Sequence, residues 1–198
     1  MTATSSGAAT EHPLRDRLLD AASTITADAG WGDVTMAKIA DRVGVSRQTV
    51  YNELGSKTQI AEALVLRELE RFMDVVSERM LAHNEIVAGL QSAAEGALLL
   101  AADNPLLKAV LSSAHVGSNE LLPLLTTNSE LLIDRATAVV VAIVDEHYDE
   151  IGLTPDELVT ACDAIVRLVI SNMLQPRKAA ALTAADIAWI ARRVLDHA

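Results

Sequence analysis

The sequence predicts an all-α protein in which a small N-terminal domain of three helices precedes a larger helical domain. Hydrophobic residues make up 51% of the 198 residues and aromatic residues only 3%, so Leu, Ala, Val and Ile must fill the core. Glycine (9) and proline (5) are sparse, whereas sheet proteins need turn residues between their many short strands. Apolar residues recur at helical spacing rather than in alternation. We expect residues 1–11 to form a disordered leader, 12–56 the first domain and 57–198 the second.

The first helix is predicted to begin at Pro13, because proline suits the first position of a helix. Gly30 ends it, and Trp31 and Val34 are expected to pack where the next helix begins. Its apolar stripe consists of Leu14, Leu18, Ala22, Ile25 and Ala29.

The stretch from Thr35 to Lys57 predicts two short helices joined by a tight turn. The Thr35 and Ser46 hydroxyls can each cap a helix by accepting a hydrogen bond from an otherwise unpaired backbone N–H. Gly44 stands where a chain leaving a helix often needs a positive φ. The inward-facing residues are Ile39, Ala40, Val43, Val45, Val50 and Leu54.

The outer face of the second short helix carries side chains suited to DNA. Arginine can pair with guanine, glutamine or asparagine with adenine, and threonine with a base edge or methyl group. Tyrosine and serine hydroxyls can donate to phosphate oxygens. A helix-turn-helix places its second helix in the major groove with its N-terminal residues leading. An ordinary helical hairpin in an all-α core is the alternative, because such patterns are short.

This stretch resembles the N-terminal DNA-binding domain of the TetR family of bacterial repressors. The resemblance covers about residues 13–60, and the remaining chain matches in length and helical pattern. It rests on Thr35, Ile39-Ala40, Gly44-Val45-Ser46, Thr49-Val50-Tyr51 and Lys57. The resemblance implies DNA contacts from Thr35, Lys38, Ser46, Arg47, Gln48, Thr49, Tyr51, Asn52 and Lys57.

Two residues depart from the family pattern. Glu53 places a negative charge where family members often contact phosphate, so no contact is assigned to it. Ala37 occupies a position where some members use a longer side chain on a base.

The net charge of −11 is distributed unevenly along the chain. Residues 1–57 contain six Lys/Arg and seven Asp/Glu, a net −1, and the remainder contains ten and twenty, a net −10. An acidic body repels DNA and helps to confine contact to the first domain. That domain is itself near neutral, so we expect few phosphate contacts and a shallow salt dependence.

The second domain is predicted to begin with a long helix, capped by Ser56, from Lys57 to about Ala82. This helix would link the two domains mechanically. Its inward stripe is Ile60, Leu64, Leu69, Met73, Val76 and Met80. A second helix from Asn84 to Ala102 is apolar nearly all round. Glu95 on it must reach the surface, find a partner or line a cavity, because burying an unpaired charge is costly.

Four further helices follow, with a loop and a short apolar stretch between the first two. Asn104-Pro105 starts a short helix to Ser112, a loop follows at 115–119, and 121–125 is a short apolar stretch. Asn128 or Ser129 caps a helix to about Glu150. Thr154-Pro155 starts a helix to Gln175, in which Asp163 and Arg167 form an i,i+4 pair. Thr183 is expected to open the last helix.

The sequence favours a protein that is not an enzyme and holds no metal or cofactor. The five histidines are scattered, and no nucleophile motif or phosphate-binding glycine loop is present. Cys162 is the single cysteine, so no intramolecular disulfide can form. The N-terminus lacks the pattern of a signal peptide, and the longest apolar runs are too short to span a membrane. We therefore expect a cytoplasmic protein with no membrane partner.

The resemblance implies that the last two long helices form a homodimer, as a two-fold operator requires. The alternative for the same residues is the core of a monomer. The candidates are Ile165, Leu168, Val169, Ile187, Ile190, Ala191 and Val194.

The resemblance also implies that the middle helices bind a small ligand. The candidates are Glu95, Leu98, Leu99, Leu106, Leu107, Val110, Leu111, Leu132, Val139 and Ile143. Because aromatics are nearly missing, a fatty acid, acyl ester or alkane-derived chain fits better than a planar drug. The Asn52-Glu53-Leu54-Gly55 run is faintly similar to actinobacterial regulators of lipid and alkane metabolism. We thus expect a dimeric repressor that an apolar effector releases from a two-fold operator in double-stranded DNA.

Two other classes remain open. The body could bind a protein partner and contain no cavity, or the chain could be a lipid-binding or enzymatic protein whose first domain no longer binds DNA.

Overall fold

The computed structural model describes residues 13–112, 130–148 and 151–195. All regular structure in these ranges is helical, which confirms the all-α prediction. The predicted leader and the segments at 115–119 and 121–125 lie outside the described residues.

The first three helices and the start of the fourth form the head. Helix α1 spans Leu14–Ala29, α2 spans Met36–Val43 and α3 spans Arg47–Leu54. A 3-10 turn at Trp31–Asp33, which the sequence pattern did not reveal, connects α1 to α2. Gly44 ends α2 in the left-handed conformation, with φ 78°, as predicted. The core of the head includes Leu18, Ala22, Ile25, Trp31, Ile39, Val50, Leu54, Ile60 and Leu64.

The body is built from six further described helices. They are α4 (Lys57–Leu81), α5 (Ile86–Asp103), α6 (Pro105–Ser112), α7 (Glu130–His147), α8 (Pro155–Leu174) and α9 (Ala180–Leu195). Helices α4 and α8 each begin with a capping box, in which the side chain of each of two residues accepts a hydrogen bond from the backbone N–H of the other. The pairs are Ser56 with Gln59 at α4 and Thr154 with Glu157 at α8.

The prediction that Thr183 opens the last helix is wrong. Helix α9 begins at Ala180, and Thr183 lies buried within it. Three consecutive alanines at 179–181 have high helix propensity, and they extend the helix by about one turn upstream.

The helices of the body pack around α5. Helix α5 contacts α4, α8 and α9, while α7 contacts α4 and α8, and α6 packs against α1 of the head. By length and composition alone, the 18 residues of α5 could cross a membrane, but the core helix of a folded protein passes the same test. In the fold, α5 is instead a core helix.

A tyrosine fixes the far end of α4. The Tyr148 hydroxyl donates a 2.6 Å hydrogen bond to the Met80 carbonyl oxygen. Gly89 makes room for it, since a Cβ there would lie 2.2 Å from that hydroxyl oxygen. The ends of α4, α5 and α7 are thereby joined.

Candidate DNA-binding surface and ligand cavity

Helix α3 presents its outer face to solvent. Arg47, Gln48 and Asn52 are exposed, and the Tyr51 side chain is 48% exposed. Val50 on the opposite face is fully buried in the core of the head. The structure therefore brings the predicted base-reading residues together on one accessible surface.

Local hydrogen bonds arrange the side chains on this surface. Ser46 caps α3, its Oγ accepting from the Thr49 backbone N–H at 3.0 Å and lying 2.8 Å from the Thr49 hydroxyl oxygen. Gln48 Nε2 donates to Asn52 Oδ1 at 2.9 Å. Adenine offers both a donor and an acceptor in the major groove. Hydrogen bonds to adenine can therefore replace the hydrogen bond between the Gln48 and Asn52 side-chain amides.

Two arginines of α1 hold the helix-turn-helix in place. Arg15 donates to the Glu53 carbonyl oxygen at 2.5 Å, and Arg17 donates to the Val43 carbonyl oxygen at 3.3 Å. Both carbonyls belong to the last turn of a helix, where cations are favoured. Sequence reasoning assigned neither arginine a role.

Two lysines of the head also have local partners. Lys38 Nζ lies 2.6 Å from Asp33 Oδ1, and Lys57 Nζ lies 5.0 Å from the centre of the Trp31 ring. The Thr35 hydroxyl accepts from the Lys38 backbone N–H at 3.2 Å. These residues lie at the ends of α2 and α4. Their predicted phosphate contacts would require them to exchange or share the partners they now have.

Helices α4, α5, α6, α7 and α8 line an apolar cavity of about 170 Å³ that is partly open to the surface. No described element outside the body contributes to its lining. The residues around it include Phe72, Met73, Val76, Met80, Leu90, Ala93, Ala97, Leu106, Leu107, Leu132, Ala136, Val140, Ile165, Val169 and Met173.

Leu106, Leu107 and Leu132 are the predicted ligand residues that line this cavity. Others lie elsewhere, because α5 turns Ala93, Ala94 and Ala97 toward the cavity. Leu98 is buried outside the lining, and Leu99 is 45% exposed. Glu95, Val139 and Ile143 are partly buried and also lie outside the lining. The side chains of Val110 and Leu111 lie outside the described part of the chain.

The polar edge of the cavity is formed by Glu68 and Asn104. The Glu68 side chain is only 13% exposed and pairs with Arg71 at 3.1 Å. Buried Asn104 donates to Glu68 Oε2 at 2.6 Å, and its Oδ1 accepts from the Leu107 backbone N–H at 2.8 Å. Asn104 thus ties α4 to the junction of α5 and α6. Sequence reasoning missed both polar residues.

Three residues are shared between the cavity and the head. Val65 of α4 and Leu106 of α6 line the cavity and also belong to the core of the head. Leu132 of α7 lines the cavity and packs against the same core. The cavity lining and the core of the head are therefore contiguous at these three residues.

The predicted dimer residues divide into three groups. Ile187 and Ala191 are buried within the protomer. Ile165, Leu168 and Val169 are partly buried, and the first and last of them line the cavity. Ile190 and Val194 are exposed. Three apolar residues that were not predicted are exposed as well, Leu182 and Trp189 on α9 and Val159 on α8. Trp189 is the largest of these apolar side chains, and the helical stripe drawn from the sequence did not include it.

Family models match both parts of the chain. A model of bacterial regulatory proteins of the tetR family matches residues 18–64. A model of the C-terminal domain of the bacterial tetracycline repressor matches residues 85–193.

Individual relatives agree with these matches. The HTH-type transcriptional regulator AlkX of Mycobacterium tuberculosis is 34% identical over 177 residues, which cover 88% of this chain and 82% of the relative. The structure of the TetR family repressor AlkX from a Dietzia strain, implicated in biodegradation of n-alkanes, matches with a TM-score of 0.74 and 26% identity. That match covers 93% of this chain and 96% of the other.

A more distant structure shares the fold. The fatty acid degradation regulator FadR from Bacillus halodurans matches with a TM-score of 0.54 and 17% identity, over 91% of this chain and 95% of that one. The relatives and families are regulators rather than enzymes, so the prediction of a non-enzyme is confirmed.

Proposed function

The chain belongs to the TetR family of bacterial transcriptional regulators, and we propose that it is a dimeric repressor released from its operator by a small apolar effector. It would act in the cytoplasm, where the chromosome lies. The observation that carries the proposal is the sharing of Val65, Leu106 and Leu132 between the cavity and the core of the head. An effector in the cavity would thus touch residues that support the DNA-binding helices.

Arg47, Gln48 and Asn52 are the proposed base-reading residues. In the part of the head that the structure describes, Arg47 is exposed and forms no ion pair or hydrogen bond. Its guanidinium can therefore form a bidentate contact with guanine without breaking an existing interaction.

Dimerisation through α8 and α9 would supply the second head. One recognition helix touches too few base pairs for useful specificity, and a two-fold dimer places two helices in successive major grooves about 34 Å apart. The apolar side chains that α9 leaves exposed, Leu182, Trp189, Ile190 and Val194, support this surface.

The proposed effector is an alkane-derived or acyl chain. An engineered cavity of about 150 Å³ binds benzene, whereas pockets for larger ligands measure about 300–1,000 Å³. A cavity of about 170 Å³ therefore holds a short apolar segment, and a longer chain must widen it. Met73, Met80 and Met173 in the lining can accommodate this, because methionine side chains are flexible.

Widening the cavity would act on DNA binding through α4 and α6. The effector can shift the equilibrium only by the difference between its affinities for the two states. A coupling free energy of about 1–3 kcal/mol would lower operator affinity about 5–150-fold.

The effector proposal is tested by competition on DNA. Operator sequence is first selected from random duplexes, and release is then measured with decane, decan-1-ol and decanoate. We expect at least one of these chains to release the operator, and octane-length and shorter homologues to release it less. Release by polar metabolites alone would refute the apolar effector. Absence of DNA binding even at low salt would favour a lipid-binding protein with an inactive head.

The assignment of base contacts is tested with two variants of the head. Arg47→Ala should lose about 1–3 kcal/mol of discrimination between operator and random DNA. Lys57→Ala should weaken both equally and lower the salt slope by about 0.9. Equal losses on both DNAs with Arg47→Ala would contradict base contact by Arg47.

A further inference from the structure

The polar edge of the cavity interrupts a lining that is otherwise apolar. Of the 23 described residues that line the cavity, only Glu68 and Asn104 have polar side chains. The Glu68 side chain is 13% exposed, so the polar edge lies near the surface. Met80, which lies twelve residues further along α4, is fully buried. The cavity therefore has a polar end and an apolar end.

A chain with a polar end group has one favourable orientation in such a cavity. Among leucine and methionine side chains, the end group would lose its hydrogen bonds to water without replacing them, which is costly. At the polar edge, it can form hydrogen bonds with the protein. The apolar tail then follows α4 toward Met80 over a distance of about 18 Å. The end group of an effector therefore belongs beside Glu68 and Asn104.

Glu68 and Asn104 can form further hydrogen bonds with such a group. The backbone N–H of Leu107 donates to Asn104 Oδ1 at 2.8 Å, which turns Asn104 Nδ2 toward Glu68. Within the described residues, Nδ2 donates one hydrogen bond, to Glu68 Oε2 at 2.6 Å, although an amide nitrogen carries two N–H groups. The Glu68 oxygens also accept from Arg71 Nη1 at 3.1 and 3.4 Å, and a carboxylate offers about four acceptor positions. An acceptor position on Glu68 and a donor on Asn104 thus remain for a ligand.

The polar edge presents negative charge to the cavity. Glu68 is the only charged residue in the described lining. Its partner Arg71 is 61% exposed, so solvent screens the arginine more than the carboxylate. Arg67 pairs with Asp20 at 2.7 Å, and Lys108 is exposed; neither lines the cavity. A second carboxylate at the polar edge would face Glu68 where water is partly excluded, and like charges repel more strongly there than in bulk water.

We propose that Glu68 and Asn104 select an aliphatic effector that ends in a hydroxyl group and reject one that ends in a carboxylate. A hydroxyl is both a donor and an acceptor, so it donates to the Glu68 carboxylate and accepts from the second N–H of Asn104. A carboxylate can accept from Asn104 but has no proton to donate to Glu68, and it carries the same charge. This inference rests on the proposed function, because it specifies the end group of the effector in the same cavity.

A series of ligands tests the selection on the wild-type protein. Binding of decan-1-ol, decanoate and decylammonium to the full-length protein is measured by isothermal titration calorimetry at pH 7 without DNA. We expect decan-1-ol to bind about tenfold or more tightly than decanoate, because juxtaposed like charges cost several kcal/mol. Decylammonium also loses the hydration of a charge on binding, but its charge is opposite to that of Glu68. It should therefore bind more tightly than decanoate as well.

Glu68→Gln tests whether the carboxylate is the cause. The substitution removes the charge and keeps a side chain of nearly the same size, with an oxygen that can accept from Asn104. The affinity for decanoate should rise about tenfold or more, because the repulsion is lost. The affinity for decan-1-ol should not rise, since a neutral amide oxygen is a weaker acceptor than a carboxylate. Glu70→Gln, at an exposed position of α4 outside the lining, should keep the wild-type preference.

Circular dichroism and urea unfolding verify that the variants are folded, and the wild-type series decides the question without them. Decanoate binding as tightly as decan-1-ol or decylammonium to the wild type would overturn the inference. An unchanged preference in folded Glu68→Gln would overturn it as well. In either case, binding of a ten-carbon chain would leave the apolar effector site of the proposed function standing. Absence of binding by all three chains and by decane would refute that site and the inference together.

Discussion

Replacing Ala97 by leucine should abolish the response to the effector while leaving the fold and DNA binding intact. Ala97 is 2% exposed and lines the cavity from α5. The substitution adds three carbons, whose burial contributes about 2.4 kcal/mol at about 0.8 kcal/mol each. Imperfect packing of a larger side chain costs about 1–3 kcal/mol. The two terms nearly cancel, so the free energy of unfolding should stay within about 1 kcal/mol of the wild type.

The assay compares urea unfolding, operator affinity and release by a ten-carbon chain. The matched control is Ala101→Leu, one turn further along α5, where the side chain is buried outside the cavity lining. We expect the control to be destabilised by about 1–3 kcal/mol, because a larger side chain is inserted at a buried position that does not border the cavity. The control should still respond to the effector. An Ala97→Leu variant that releases DNA at the wild-type effector concentration would refute the assignment of this cavity as the effector site.

Three further predictions concern local features of the fold. In urea unfolding, Gly55→Ala should lower the free energy of unfolding more than Gly30→Ala. Both glycines have φ above +70°, so an alanine at either position costs about 1–3 kcal/mol, but of the two only Gly55 has a side chain that an added Cβ would meet. Equal losses of stability would contradict this reasoning. Burial raises the pKa of Cys162 to about 11, so a maleimide or iodoacetamide should react at pH 8 only after unfolding, and rapid labelling of the native protein would count against burial. Hydrogen bonds from the hydroxyl and backbone of Thr154 lower the pKa of Glu157. Its carboxylate therefore stabilises the fold above the unfolded pKa, and this is lost as pH falls through the folded pKa. Glu157→Gln should thus lose less stability between pH 6 and pH 3 than the wild type, and an unchanged acid dependence would exclude the role of this carboxylate.

The sequence predicted the DNA-binding head best because its signals are local. The hydroxyls of Thr35 and Ser46 mark helix starts within three residues of the N–H groups they cap, and Gly44 marks the turn between them. Such features depend on neighbours in the chain, so spacing alone is informative. The buttressing by Arg15 and Arg17 was missed, because their carbonyl partners lie 38 and 26 residues away.

The cavity was predicted less well because it depends on how distant helices rotate against one another. The inward stripe of α4 was recognised, and Leu69, Met73, Val76 and Met80 all line the cavity. On α5, which is apolar all round, the sequence could not indicate which face would turn inward. The large residues Leu98 and Leu99 were favoured, whereas small alanines face the cavity and leave its space open.

The bond between Tyr148 and Met80 makes α4 a lever with one fixed end. The helix has 25 residues and is about 37 Å long. Its C-terminal end is held by Tyr148, its middle borders the cavity, and its N-terminal end enters the core of the head. A tilt of roughly 5° about the fixed end would displace the head end by about 3 Å. Under the proposed function, an effector that tilts α4 by this amount would shift the recognition helix by nearly one base-pair step.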